Sequence, residues 1–168
     1  MTTLYLVRHG ETEDNVNQIL QGQTDGKLTI KGIGQARELR DKLANNHFDA
    51  IISSDLKRAV DTAEILNEPH HLNLEQTLLL RERDWGDFTG RFIPDIQEEK
   101  FPENVETVDA MFARAMNFIT YVKVTYRDKD VLAIGHGLFN RCIQAIYHKK
   151  TIRDIPRMVN AEVRILEL

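Results

Sequence analysis

The chain has 168 residues, 42% hydrophobic and 29% charged, the composition of an ordinary globular domain with a sizeable core. Its net charge of -4 shows no basic surplus, which argues against nucleic acid or an anionic membrane as partner, although a pocket with a few local cations could still hold a small anion. The single cysteine, Cys142, excludes an internal disulfide and a cysteine metal cluster. No apolar run approaches the roughly 20 residues of a membrane span. The opening "MTTLYLV" is too short for a signal peptide, so a reducing cytoplasm is expected.

"TLYLV" is a short continuous apolar run, as expected of a strand buried on both faces. Directly behind it stand Arg8, His9, Gly10, Glu11, Asp14 and Asn15. Glycine and asparagine alone could make a turn, so the Arg8-His9 pair needs another reason. From Thr29, "TIKGIGQARELRDKLANN" spaces Ile30, Ile33, Arg37 and Leu43 at helical intervals, with Ala36 and Leu39 filling the stripe and Asn45-Asn46 as the stop. "FDAIISSD" predicts a second strand, with Ser54 or Asp55 capping a helix that carries Leu56, Ala59, Ala63 and Leu66 on one face. "LNLEQTLLL" holds a third strand, and residues 90–106, with Pro94 and Pro102, read as loop. Val108, Met111, Phe112, Ala115, Ile119 and Val122 mark a longer amphipathic helix. "DVLAIG" is a strand, "LFNRCIQAIY" a helix and "EVRILEL" a closing strand.

Strands joined by helices imply an α/β fold whose mainly parallel sheet is covered on both faces. Ligands of such sheets bind beyond the carboxyl ends of the strands. Arg8-His9, Ser53 to Arg58 and His136-Gly137 each follow a strand, so three clusters meet at one edge if those strands are neighbours. Two histidines and two arginines suit a phosphate, because the planar guanidinium fork matches its oxygens in pairs. Arg58 falls in the first turn of its helix, where free backbone N–H groups also favour an anion. Gly10 and Gly137 admit close backbone approach. A neutral imidazole can attack phosphorus and carry the phosphoryl group, and a nearby protonated carboxyl can supply the leaving oxygen with its proton. There is no Walker pattern and no G-x-G-x-x-G. His47, His70, His71 and His148 read as structural or solvated, with no partner cluster for a metal, and Cys142 as a small core residue.

"LYLVRHGETEDN" resembles the opening signature of the histidine phosphatase superfamily, also called phosphoglycerate mutase-like. "QGQTDGKLTIKGIGQA", "IISSDLKRAVDTAEI", "LLLRERDWGDFTG" and "VLAIGHG" resemble its further motifs in the family's order, from Leu4 to about Ala145. The resemblance implies a single domain over 1–168 with a three-layer α/β/α sandwich. It implies His9 as phosphorylated nucleophile, Arg8, Arg58 and His136 as the rest of the phosphate pocket, and Glu82 as proton donor. Asn15 matches a polar phosphate ligand, Gln21 and Gly22 match residues near the substrate, and Gly137 matches a backbone contact. No metal and no organic cofactor is implied.

Two departures stand out. Where the family often shows W-E-G this chain has "DFTG", which puts Thr89 at the second acidic position. The stretch from Gly90 to Glu106, which normally helps cover the site, is shorter than in many relatives. The resulting expectation is a phosphomonoesterase for a small phosphorylated metabolite. The alternatives are a cofactor-dependent phosphoglycerate mutase and a non-catalytic module that binds phosphorylated ligands.

Overall fold

The computed structural model describes all of residues 1–168. In chain order, β1 (Thr3–Arg8) and α1 (Glu13–Asn17) precede α2 (Ile30–Leu43), β2 (Ala50–Ser54), α3 (Lys57–Asn67) and β3 (Leu74–Thr77). Then come α4 (Ile93–Ile96), α5 (Val108–Thr125), β4 (Asp130–Gly135), α6 (Gly137–His148) and β5 (Val163–Glu167). The five strands form one sheet in the order β3-β2-β4-β1-β5. The first four run parallel, and β5 runs antiparallel along β1.

The apolar strands divide their side chains between two layers, as the period of two requires. Leu4, Leu6, Ile52, Val131 and Ala133 pack with Met111, Phe118 and Phe139 of α5 and α6. Val7, Ile51, Leu132 and Ile134 pack with Leu39, Ala59 and Leu66 of α2 and α3. The result is the α/β/α sandwich, with a core on each face of the sheet. Phe118 and Phe139 are each 0% exposed, and burial of such a side chain contributes about 1.5–3 kcal/mol. No helix is long and apolar enough to cross a membrane.

Several elements start and stop for local reasons. The Thr29 hydroxyl accepts from the Gly32 N–H and caps α2; the helix ends just before Asn45-Asn46. The stripe is narrower than expected, since Ile30 and Arg37 are exposed and the buried residues are Gly32, Ala36, Leu39 and Leu43. Neither Ser54 nor Asp55 is the N-cap of α3, which is Leu56 with no side-chain cap bond. Asp55 is instead engaged by Arg81 through two bonds of 2.7 and 2.6 Å. The first N–H groups of α3 go to Asp25, from Lys57 to its side chain and from Arg58 to its carbonyl. β3 stops at Thr77, and Leu78–Leu80 form a 3-10 turn rather than continuing the strand. Residues 90–106 are not loop throughout, because α4 forms there with Pro94 in its first turn, where a missing N–H is tolerated.

Register places the site. Arg8 stands opposite Gly135 across the β1–β4 pair, so the next residues, His9 and His136, leave the sheet side by side. Ser53 stands opposite Ile134, which brings the end of β2 and the start of α3 to the same edge.

Candidate active site

His9 follows β1 and is 2% exposed. Its Nδ1 lies 2.7 Å from the Gly10 carbonyl oxygen. A carbonyl can only accept, so that bond puts the ring proton on Nδ1 and the lone pair on Nε2. Arg58 Nε donates to that Nε2 at 3.3 Å. Burial, and then the charges of Arg58 and Arg8, hold the His9 pKa well below its usual value, so the ring is neutral at neutral pH. The loop is fixed from behind. The Gly10 N–H donates to Thr62 Oγ1 at 3.1 Å, and Thr62 donates in turn to the Arg58 carbonyl at 2.8 Å. Gly10 is required for close approach, because a Cβ there would lie 2.6 Å from the Gly32 carbonyl oxygen.

Arg58, in the first turn of α3, is 1% exposed. Its guanidinium donates to the Gly22 carbonyl at 2.8 Å and to the Thr24 carbonyl. Burial lowers its pKa to about 10, which leaves it cationic at neutral pH. Arg8, the last residue of β1, donates to the Met158 carbonyl at 2.7 Å. Its Nε is buried without a partner and lies against Gly137, where a Cβ would come within 3.1 Å of it.

His136 is the N-cap residue of α6 and 0% exposed. Its Nε2 lies 2.8 Å from Ser54 Oγ, its Nδ1 has no partner, and its ring centroid is 5.2 Å from that of His9. Burial first, then Arg58, keep its pKa well below the usual value. Arg8 Nε and His136 Nδ1 are thus two buried polar atoms left unpaired in the same region, which is costly unless a ligand satisfies them.

The Glu82 carboxylate sits at the start of α6. It accepts from the N–H groups of Leu138 at 3.1 Å, Phe139 at 3.0 Å and Arg83 at 2.8 Å. Asn15 is the N3 residue of a capping box on α1. Its Oδ1 accepts from the Thr12 N–H at 3.0 Å and from Asn160 Nδ2 at 3.3 Å, so the amide nitrogen is the end left for a ligand. Gln21 accepts from Thr12 Oγ1 at 2.9 Å. Gly22, at φ 54°, gives its carbonyl to Arg58 and stands beside Thr89.

These groups open onto a cleft of about 520 Å³ lined by Arg8, His9, Asn15, Gln21, Gly22, Arg58, Glu82 and Gly137. His136, fully buried with its ring against that of His9, is not among the residues that line the cleft. The remaining wall includes residues that the sequence reading left out: Arg83, Trp85, Arg141, Arg157 and an apolar set with Ile19, Ile93 and Met158. Arg141 had a signal, since it lies one turn after Gly137 on α6 and so on the same face. Arg157 had none, being in an aperiodic segment. No three His, Cys, Asp or Glu side chains come together as a metal-binding group. Burial pushes the Cys142 thiol up to about 12, as for an inert core residue.

The arrangement can hold a tetrahedral anion between guanidinium groups and present it to a neutral imidazole nitrogen. The family model described as the histidine phosphatase superfamily (branch 1) matches residues 4–168. This chain belongs to the histidine phosphatase superfamily. Among relatives in this superfamily, it is 39% identical over 141 residues to the Bacillus subtilis protein named uncharacterized phosphatase PhoE, covering 82% of this chain and 72% of that one. It is also 39% identical to the probable phosphoglycerate mutase GpmB of Proteus mirabilis over 62% of this chain, a stretch that spans only 50% of GpmB. The solved Bacillus stearothermophilus YhfR superposes with a TM-score of 0.94 at 29% identity, covering 100% of this chain and 92% of YhfR. Superfamily and relatives together indicate phosphatase or mutase activity.

Proposed function

We propose that this chain is a phosphomonoesterase that hydrolyses a small phosphorylated metabolite through a phosphohistidine at His9. One observation carries the reading. The Nδ1 bond to the Gly10 carbonyl leaves His9 Nε2 with its lone pair, and a buried guanidinium stands beside that atom.

In this reading Arg8 and Arg58 clamp the phosphate dianion through charge-assisted bonds. His9 Nε2 attacks phosphorus in line, forming an N–P bond as the P–O bond to the leaving group breaks. Glu82, entering the step as the carboxylic acid, gives its proton to the leaving oxygen and is left as the carboxylate. Water then attacks the phosphohistidine, Glu82 takes the proton, and His9 and inorganic phosphate are released. The unpaired Arg8 Nε serves as a donor to the transferring oxygens, where charge is spread in the transition state, and His136 Nδ1, buried beside the His9 ring and outside the cleft wall, would join it once the phosphate seats against His9. Asn15, through its amide nitrogen, and Gln21 complete the phosphate's surroundings, while Gly22 and Gly137 supply room. The cycle balances without metal or organic cofactor. The chain would act as one domain over 1–168, with 90–106 as a short cover that contributes Ile93 to the cleft wall. We take the cytoplasm as its compartment.

The second reading is a phosphoglycerate mutase, favoured by the likeness to GpmB. It would use the same first step but return the phosphoryl group to a sugar acid instead of to water. A binding module without catalysis is opposed by the presence of both His9 and Glu82. A metabolite panel assayed for inorganic phosphate, with 3-phosphoglycerate as acceptor in parallel, tests the choice. Release of phosphate supports the phosphatase, transfer supports the mutase, and binding without either supports the module.

A further inference from the structure

Glu82 stands on a stretch, residues 81–85, that forms neither helix nor strand. Such backbone has no ladder of its own, so a group on it is only as well placed as its anchors make it. The carboxylate is held by three N–H groups, two of them at the start of α6. The backbone beneath it is held from α5. Arg114 donates from Nη1 to the Arg81 carbonyl at 2.6 Å and to the Leu79 carbonyl at 3.1 Å, and from Nη2 to the Glu82 carbonyl at 3.4 Å. The Glu82 carbonyl accepts as well from Gln23 Nε2 at 3.2 Å.

Arg114 is itself fixed on two sides. Its Nε and Nη2 donate to the Glu106 carboxylate at 3.1 and 2.8 Å, both side chains being mostly buried. Its guanidinium carbon lies 3.9 Å from the centre of the Phe139 ring. Glu106 then grips the far side of the acid. It exchanges bonds with Asp84, from its own N–H to the Asp84 carbonyl at 2.8 Å and from the Asp84 N–H to its Oε1 at 3.2 Å. Its carbonyl accepts from Arg83 Nε at 2.8 Å. A bidentate pair of this kind is ordinarily structural, and stability explains the pair. It does not explain the choice of carbonyls. The three that Arg114 takes belong to the residue bearing the acid and to the backbone just before it. The ring it packs on belongs to Phe139, whose N–H the acid's own carboxylate accepts. One side chain thus spans both ends of the contact between Glu82 and α6.

We propose that Arg114, backed by Glu106, is a positioning residue for proton donation: it fixes Glu82 against α6, and so sets the reach of the acid to the leaving oxygen. Arg114 is not among the residues lining the cleft and acts only through Glu82. The proposal rests on the reading of Glu82 as proton donor given above.

The test follows single-turnover phosphorylation of His9 by propyl phosphate and by p-nitrophenyl phosphate. It compares the full chain with Glu82→Gln, Arg114→Met and the double variant. Methionine keeps an unbranched stem against Phe139 and removes every donor. A misplaced acid is felt where the leaving group needs a proton. Arg114→Met should therefore slow propyl phosphate roughly tenfold to a hundredfold more than p-nitrophenyl phosphate. Added to Glu82→Gln, it should change that ratio little, because the two residues serve one step. Equal slowing on both substrates by a folded Arg114→Met overturns the positioning role, as does an undiminished further change of the ratio in the double variant. If thermal unfolding shows that Arg114→Met does not fold, Arg114→Lys decides. It keeps the cation and the stem, but one ammonium cannot serve three carbonyls and a carboxylate, so the ratio should move in the same direction. A wild-type ratio in Arg114→Lys overturns the proposal, and failure of both variants to fold makes Arg114 a support of the whole fold and overturns it too. An unchanged ratio in Glu82→Gln alone removes the donor reading and the proposal with it, and it is told apart because Arg114 is intact in that variant.

Discussion

The Arg58 guanidinium, 1% exposed, donates from Nε to His9 Nε2 at 3.3 Å. A cation placed at the ring's acceptor nitrogen keeps that nitrogen free of a proton and sits where the negative charge of a phosphate would come. One residue therefore both tunes the imidazole and attracts its target.

Arg58→Ala should lower kcat/KM by about a hundredfold or more, near 3 kcal/mol, through loss of a clamp on charge that grows in the transition state. Arg58→Lys should recover little, because an ammonium cannot span the Gly22 and Thr24 carbonyls and a phosphate oxygen together. Steady-state kinetics on the three proteins, with thermal unfolding to confirm folding, check this. A Lys variant with near-wild-type activity would show that paired geometry is unimportant at this position.

Glu82 is tested by leaving group. An alkyl alkoxide needs a proton to leave, and p-nitrophenolate hardly does. Glu82→Gln should slow single-turnover phosphorylation by an alkyl phosphate roughly tenfold to a thousandfold more than by p-nitrophenyl phosphate. The variant should also lose about 1 kcal/mol of stability, since the amide keeps one oxygen where the carboxylate uses both to accept from the start of α6. Equal slowing on both substrates would take Glu82 out of the donor role, and the same comparison on Asp84→Asn and Asp87→Asn would locate the group that holds it.

Stability should fall on acidification through the two buried rings. His9 and His136 have folded pKa values well below 6.5, chiefly from burial. Below about pH 6.5 the unfolded chain binds protons that the folded chain refuses. Unfolding free energy therefore drops as pH decreases, by roughly 1.4 kcal/mol per pH unit for each such histidine, and above that pH neither ring contributes a slope. Urea unfolding at pH 5.5 and pH 7.5 measures it. His136→Gln should show a shallower loss between the two than the wild type, and an identical loss would mean that His136 does take up its proton in the folded state.

Gly10→Ala should destabilise the chain by about 1–3 kcal/mol, because the new Cβ meets the Gly32 carbonyl, which is backbone at the start of α2 and cannot step aside. Activity should fall further than stability, since the same shift moves His9. Denaturant unfolding and kinetics on one preparation separate the two effects, and a fully active, unshifted variant would mean that the loop has slack.

The parts of the fold legible in the sequence are those whose signal repeats. β1, β2 and β4 are continuous apolar runs because both faces are buried, and α5 spans enough turns for its stripe to show from Met111 to Val122, although Val108, expected on it, is exposed and Phe118, which the spacing left out, is buried. α1 and α4, of five and four residues, are too short to have a period, and α1 buries no residue. The cap of α3 could not be read locally, because Asp25 reaches it from more than thirty residues upstream while Arg81 takes Asp55. In the site, the motifs pointed to His9, Arg58, Glu82 and their neighbours, which the structure brings to one sheet edge. Asn15 shows what motifs leave out: half of its amide is spent on Thr12 and Asn160. Arg157 was illegible because its place in the cleft depends on how residues 150–160 fold back, where Arg141 and Arg164 hold backbone carbonyls by long-range bonds.

The central claim is that His9 carries the phosphoryl group, and rapid quench after mixing with phosphorus-labelled substrate tests it most directly. The wild type should hold label that is lost in acid and retained in base, as a phosphoramidate is, and His9→Ala should hold none. Label that persists unchanged in His9→Ala, or a wild type that turns over without any protein-bound label at the shortest times, would contradict the account.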